Sequence, residues 1–505
     1  MKMRLTVPER FKVQYVVIFV FLVFAAQELE GTDAVFAVLT AAYTLLWATA
    51  YNISGGIRYP SGAFIFFNGF LNAIIGLTFK VFLLQPGESH LKAPRSTMFT
   101  YCVGMAVILG AAFICRGLRP SRGFLPKIES VDAYRRAAII CLVGGFVITL
   151  LSLVGSSNAV ISILRQINKL PQMAIMLGTI YEIRSSKGKR SINWIVVGGI
   201  TIILATVLVS FGKTGMLLGA AAYVIAAVLE GYDFPIKQIF IGVLGFAFFS
   251  YYLVPYSQYV RNLRATTAAD NAQLALFYLS NLNETRRLYE TDIAEVDVNE
   301  EPHLYDQREG YMDRQVILPA DDTLISYTNE GHVFGLTPTI VVYANLVPHF
   351  IWKNKPYLNI GNAYAHEIGG ILVEEDETTG IAFSATADAY HQEGWLGVLL
   401  LLPIDVFLFF IIMDSVVGSA KWAPWALIPI LDLTTIAPEG GLNSLVYEFT
   451  FGLSGIVLLV VVINRVVPFF LQNFSQSKFS QVRSAPTLLV SPVSANPAEP
   501  PAFSR

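Results

Sequence analysis

The chain has 505 residues, of which 54% are hydrophobic and only 14% charged, with a mean hydropathy of +0.55. Soluble domains carry about 25% charged residues, so a soluble globular fold is excluded and a polytopic membrane protein is expected; the net charge of −2 excludes nothing, because the charges are segregated by loop. Cys102, Cys115 and Cys141 lie in or at the ends of apolar runs, without a CxxC or Cys/His cluster, which supports neither a disulfide framework nor a structural zinc site. No metal, cofactor or nucleic-acid partner is expected.

A membrane-crossing helix needs about 20 mostly apolar residues, and cytoplasmic loops gather Lys and Arg. The run 13–26 follows Lys2, Arg4, Arg10 and Lys12. It precedes Gln27-Glu28-Leu29-Glu30 rather than a small-residue cleavage site, so it reads as a retained first span. Spans two to four fall at 34–51, 63–84 and 98–114. The next loop carries Arg116, Arg119, Arg122, Lys127, Arg135 and Arg136 and is therefore cytoplasmic. Span five covers 137–153. The sixth crossing, 160–183, has Arg165, Gln166, Asn168, Lys169 and Pro171 in its first half, which must face protein or a watery cavity. That half either lines a groove or packs against a neighbouring helix.

Spans seven and eight, 192–210 and 214–229, are joined only by Phe211-Gly212-Lys213, and span nine covers 239–254. Spans ten to twelve occupy 396–413, 422–436 and 442–463. The chain thus divides into a nine-span bundle (1–254), a large external loop (255–391), three closing spans (392–466) and a Ser/Pro/Ala-rich tail (467–505) read as a disordered cytoplasmic extension. The expected fold is all-α, with about twelve transmembrane helices, both termini cytoplasmic and a helical external loop. No internal repeat of the transporter kind is visible.

The external loop is too long to be a connector. It opens on Arg261 and Arg264, three residues apart on one helix face, which either grip a pyrophosphate or anchor the helix end to lipid headgroups. Residues 284–309 read as an acidic solvated insertion, and the stretches 312–318 and 321–326 as short amphipathic helices on the membrane face. The apolar run 337–347 is buried in the loop or half-inserted. At 345–356, Trp352, Lys353 and Lys355 lie between Pro348 and Pro356, a combination suited to headgroup depth. Trp352 is an interfacial anchor or a sugar-stacking platform. Asp388, His391 and Glu393 close the loop beside Gly394 and Gly397. Asp321-Asp322 is a bare acidic pair with little to recommend it as a metal site.

Val347-Pro348-His349-Phe350-Ile351-Trp352-Lys353-Asn354-Lys355-Pro356 and Ser384–Gly397 resemble two segments of the bacterial O-antigen polymerase (Wzy-like) family, oligosaccharide repeat-unit polymerases related to O-antigen ligases. Phe211-Gly212-Lys213-Thr214-Gly215 sits where the family has a Ser/Gly-rich turn with arginine, and Arg261 and Arg314 fall where relatives place arginines flanking the long loop. The likeness of layout covers most of the chain, and the specific motifs about 30 residues. His349 and Lys213 stand in place of arginines, and Asp388 in place of a glutamate. A lysine offers one point charge where arginine offers a bidentate fork.

The resemblance implies a GT-C-like membrane glycosyltransferase of the bacterial inner membrane, with its large loop periplasmic. Its substrate is an undecaprenyl-pyrophosphate-linked oligosaccharide, transferred to the non-reducing end of a second lipid-linked repeat unit. A flippase and a chain-length regulator are its expected partners, beside membrane lipids. Candidates for binding pyrophosphate or glycan are Arg261, Arg264, Arg314, Lys355, Lys213 and Trp352. Candidates for a catalytic base are His349, Asp388 and His332, with Glu330 and His391 behind them. A ligase that moves the finished glycan elsewhere, or a transporter of lipid-linked glycans, are the alternatives.

Overall fold

The computed structural model describes residues 2–5, 7–120, 122–154, 168–265, 267–299, 317–347, 351–352, 354–369, 377 and 379–466. The chain divides into Met1–Leu459 and Val460–Arg505. The described residues are mostly helical. Among the described residues, seven helices are long and apolar enough to cross a membrane: Ala34–Ser54, Pro60–Phe82, Pro94–Leu118, Val131–Leu151, Ile236–Asn262, Ala385–Val416 and Gly441–Arg465. The shorter apolar helices Val13–Leu29, Trp194–Ser210 and Lys213–Leu229 coincide with expected spans one, seven and eight. Expected spans six and eleven contain the helices Leu170–Ser185 and Leu427–Glu439, of 16 and 13 residues. Arg165 and Gln166, and the tail 467–505, lie outside the described residues. The chain is an all-α multi-pass membrane protein, with one short antiparallel strand pair, Lys2–Arg4 against Asp233–Pro235, among the described residues.

The first amides of a helix have no intrahelical acceptor, and hydrocarbon supplies none. The chain brings oxygens to them. Some are local: Asp33 accepts from the Phe36 amide at 3.0 Å, and the Asn193 side chain from the amides of Ile195 and Val196. Others come from far along the chain. Asp414, fully buried near the end of Leu402–Val416, accepts from the Ser61 amide at 3.1 Å and the Ser61 hydroxyl at 2.6 Å. Those two donors open the helix Pro60–Gly69. The same carboxylate pairs with Arg119 at 2.7 Å, whose guanidinium lies 3.8 Å from the Tyr59 ring. This Arg119 end of the bundle also carries the basic loops.

The long interval after span nine is helical, with Ala268–Ser280, Leu282–Asn299, Leu318–Asn329, Thr337–Asn345 and Ile360–Ile368. Its borders differ from expectation. The ninth helix continues past residue 254 to Asn262, so Arg261 sits on its last turn. The tenth begins at Ala385 rather than 396, capped by the Ser384 hydroxyl on the Ala387 amide. It bends at Glu393–Gly394, where Gly394 takes φ +57°. The bend lets 385–392 bury within the protein while the remainder continues as an apolar crossing helix. The expected surface helix at 321–326 is corrected: within Leu318–Asn329, Asp321, Asp322, Leu324 and Ile325 are all buried, because both carboxylates find internal donors.

Replacing Asp414 by alanine leaves the largely buried Arg119 side chain without its carboxylate, and is expected to cost ~3–5 kcal/mol. Ser61→Ala, which removes one hydrogen bond, is expected to cost about 1 kcal/mol. Thermal unfolding of the detergent-solubilised variants measures both, and equal losses would contradict this account of the Arg119 end.

Candidate functional site

At the opposite end of the bundle, three aspartates each serve the start of a different helix. Asp322 accepts from the amides of Lys92 and Ala93 and, at 2.6 Å, from Thr97 Oγ1, where Pro94–Leu118 begins. Asp321 accepts from the Ser384 amide at 2.9 Å, at the cap of Ala385–Leu396, and from the Tyr101 hydroxyl at 2.5 Å. Asp388 accepts from the Leu442 amide at 2.8 Å, on the first turn of Gly441–Tyr447. Gly441 there takes φ +59°, and a side chain on it would meet Asp388 Oδ2 at 2.7 Å. Helix starts favour negative charge through their aligned amide dipoles. The three aspartates therefore fasten the loop helices to the crossing helices.

The second oxygen of Asp388 accepts from Tyr364 Oη at 2.7 Å and Gln392 Nε2 at 2.9 Å, and Gln392 in turn accepts from Thr339 at 2.6 Å. Burial and the neighbouring Asp388 hold the Tyr364 phenol far above its ordinary range, so it stays a donor. Tyr343 donates to Asp405 at 2.5 Å and ties Thr337–Asn345 down beside it. His391 is fully buried; Nδ1 is 2.9 Å from Thr328 Oγ1, Nε2 is 3.1 Å from Glu367, and its ring stands edge-on to Tyr364. Asp388 and His391 are thus fully engaged in the framework.

Among the described residues, two cavities adjoin this network and a third lies apart from it. The smallest, about 60 Å³, is lined by Tyr364, Asp388, Glu439, Gly440, Gly441 and Asn443. A second, about 270 Å³, shares Asn443 and adds Asn345, Leu346, Ser444 and Tyr447. The third, about 430 Å³, lies between other helices and is lined by Asn168, Gln172, Ser210, Arg264 and Asn271 among others. Lys213, exposed at the start of the helix Lys213–Leu229 and three residues after Ser210, exerts its charge on Glu439. Glu439 is itself exposed. A cation beside the largest cavity and a carboxylate lining the smallest are thereby within electrostatic reach of each other.

Of the residues expected from sequence, Lys213 and Asp388 come to this region. Lys355 lies beside it, but its ammonium donates to the carbonyls of Asn345 (3.1 Å) and Val347 (2.7 Å) and so caps the helix Thr337–Asn345. Arg264 faces the largest cavity, whereas Arg261 is exposed on the ninth helix and lines none of the three. His332 is exposed and stacks on Tyr327 with ring centroids 4.3 Å apart, and Glu330 is exposed nearby. Trp352 is 42% exposed. Arg314, His349 and Lys353 lie outside the described residues. Sequence reasoning missed Glu439; its signal was a carboxylate followed by Gly440-Gly441 between two apolar runs.

No family model, no curated protein and no solved structure matches this chain.

Burial pushes the Asp321 carboxyl up to about 7, with the Tyr101 and Ser384 donors opposing and Asp388 assisting. The folded state therefore holds this proton more tightly than the unfolded chain, whose value is near 3.8. The stabilisation is complete below pH 3.8 and is lost as pH rises toward 7. Asp321→Asn can keep both hydrogen bonds while removing the titration. Its stability relative to the parent is expected to climb between pH 4 and 7, by on the order of 4 kcal/mol. Unfolding followed across that window tests this, and a constant difference between the two proteins would refute it.

Proposed function

We propose that the protein transfers lipid-linked oligosaccharides: an undecaprenyl-pyrophosphate glycan donates its chain to the non-reducing end of a second lipid-linked repeat unit. The observation that carries this reading is that Glu439, exposed and lining the cavity it shares with Asp388, lies within electrostatic reach of Lys213. Glycosyl transfer from a lipid pyrophosphate needs cations for the leaving group and a base for the acceptor hydroxyl. Arg264 in the largest cavity and Lys213 beside it supply the first. Glu439 supplies the second, because it is exposed, whereas Asp388 already accepts from three donors. The acceptor oxygen forms its bond to the sugar C1 as the C1–O bond to pyrophosphate breaks. The proton passes to Glu439 and the pyrophosphate leaves on its lipid.

The basic loops at the Arg119 end favour the cytoplasm, which turns the Asp388 end and the helical loop outward, to the periplasmic face of a bacterial inner membrane. Twelve crossings follow if the three shorter apolar helices and the helices Leu170–Ser185 and Leu427–Glu439 join the seven long ones. Such a bundle under a helical loop is GT-C-like in layout. The sequence resemblance to Wzy-like polymerases points the same way. The roles of flippase and chain-length regulator as partners rest on that resemblance alone.

The test is polymerisation of a synthetic undecaprenyl-pyrophosphate repeat unit by the purified, reconstituted protein. The parent is expected to produce a ladder. Glu439→Gln should slow it about 10²–10⁴-fold, and Arg264→Ala and Lys213→Ala should each weaken it. Lys355→Ala, which removes a helix cap, should act on stability more than on rate. Ladders undiminished in Glu439→Gln and Arg264→Ala would remove the assigned site. A parent that makes no product yet moves lipid-linked glycan across vesicles would be a transporter.

A further inference from the structure

A second polar cluster uses none of the residues assigned to glycan transfer. Lys169, at the start of Leu170–Ser185, pairs with Asp432 of Leu427–Glu439 at 2.8 Å. Glu448 belongs to the crossing helix Gly441–Arg465 and is 1% exposed. The charges of Asp432 and Lys169 both act on Glu448, and Tyr447 is the titratable neighbour on its own helix. The Glu448 carboxyl folds back over Gly452, where any side chain would meet its Oε2 at 2.5 Å. This happens within the π-helical turn Glu448–Gly452. Such turns insert one residue into the ladder and frequently mark functional positions.

Two oxygens here lack donors. Asp432 Oδ2 and Glu448 Oε1 are buried with no hydrogen-bond partner among the described residues. Among the described residues, two carboxylates against one ammonium leave one negative charge uncompensated at membrane depth, which costs several kcal/mol. A bound proton cancels the charge and turns a bare acceptor oxygen into a donor. Asp432 already accepts from the Lys169 ammonium at 2.8 Å, which leaves Glu448 to receive it. Asn168, next to Lys169, and Gln172, one turn on, line the 430 Å³ cavity, and each shows an unpaired buried oxygen. That cavity offers a polar approach to the Lys169 side chain, which is 29% exposed.

We propose that Lys169, Asp432 and Glu448 form an intramembrane proton-binding site, with the proton on Glu448 and the 430 Å³ cavity as its route of exchange. Its three residues are not those assigned to glycan transfer, while the exchange cavity is the one that Arg264 also lines. Tyr447, adjacent to Glu448, lines the 270 Å³ cavity, so the π-helical turn that holds the proton also forms part of that cavity's wall.

Difference infrared spectroscopy of the reconstituted full-length protein at pH 7 tests it. Parent minus Glu448→Gln should show loss of the carbonyl stretch of a protonated carboxylic acid, with carboxylate bands unchanged. Loss of a carboxylate band instead would mean that Glu448 is ionised, and would overturn the proposal. Asp432→Asn gives an independent check should the first variant fail to elute as a single folded species. It removes one carboxylate and frees Lys169 to pair with Glu448, which then ionises. The acid band should vanish while total carboxylate absorption stays level. Reduced carboxylate absorption with the acid band intact would equally overturn it.

Discussion

Amides at the ends of membrane helices need acceptors where water is scarce, and in this protein much of that need is met by carboxylates. Asp33, Asp321, Asp322, Asp388 and Asp414 each receive a backbone N–H at or beside a helix start. Asp414 joins the tenth crossing helix to the third, and Asp322 joins a loop helix to the start of Pro94–Leu118. Each bond satisfies a buried donor and fixes the angle at which two helices meet. Without them the loop helices would keep fewer polar links to the bundle, among them Tyr343 to Asp405 and Thr339 to Gln392.

This capping changes how acidic residues are read. A buried carboxylate in a membrane protein invites a functional interpretation. Most of those described here already have their lone pairs occupied by amides, hydroxyls or a guanidinium. Asp388 is the clearest case, since it stands in the motif that resembles a polymerase segment yet accepts from Leu442, Tyr364 and Gln392 together. Chemistry needs an oxygen with spare capacity. Glu439 is exposed beside it, and Glu448 is buried with one oxygen unserved. The first suits reaction with an arriving hydroxyl, the second suits holding a proton. Their separation onto the two sides of the Gly440–Gly441 break keeps a solvent-facing group and a buried group on consecutive helices.

Lys355 and Lys213 show the same division among cations. Lys355 lies in the segment that looks most like a surface anchor, and its ammonium turns inward to donate two hydrogen bonds at a helix C-terminus that needs them. Lys213 opens the helix Lys213–Leu229 after a two-residue turn and is exposed. Arg264 faces a cavity whose walls come from helices far apart in the chain.

Hydropathy and charge along the chain were enough to determine that this is a helical membrane protein, which segments are apolar, and that the basic loops share one end. These are local properties: a run of about 20 apolar residues or a cluster of arginines means the same in any context. The odd polarity of the sixth segment was also legible, since Lys169 could not face lipid. Its partners were not, because Asp432 and Glu448 lie more than 260 residues away in the chain. The identity of the available carboxylate was equally hidden. Asp388 and Glu439 are alike in composition, and only the fold decides that three donors converge on one and leave the other exposed.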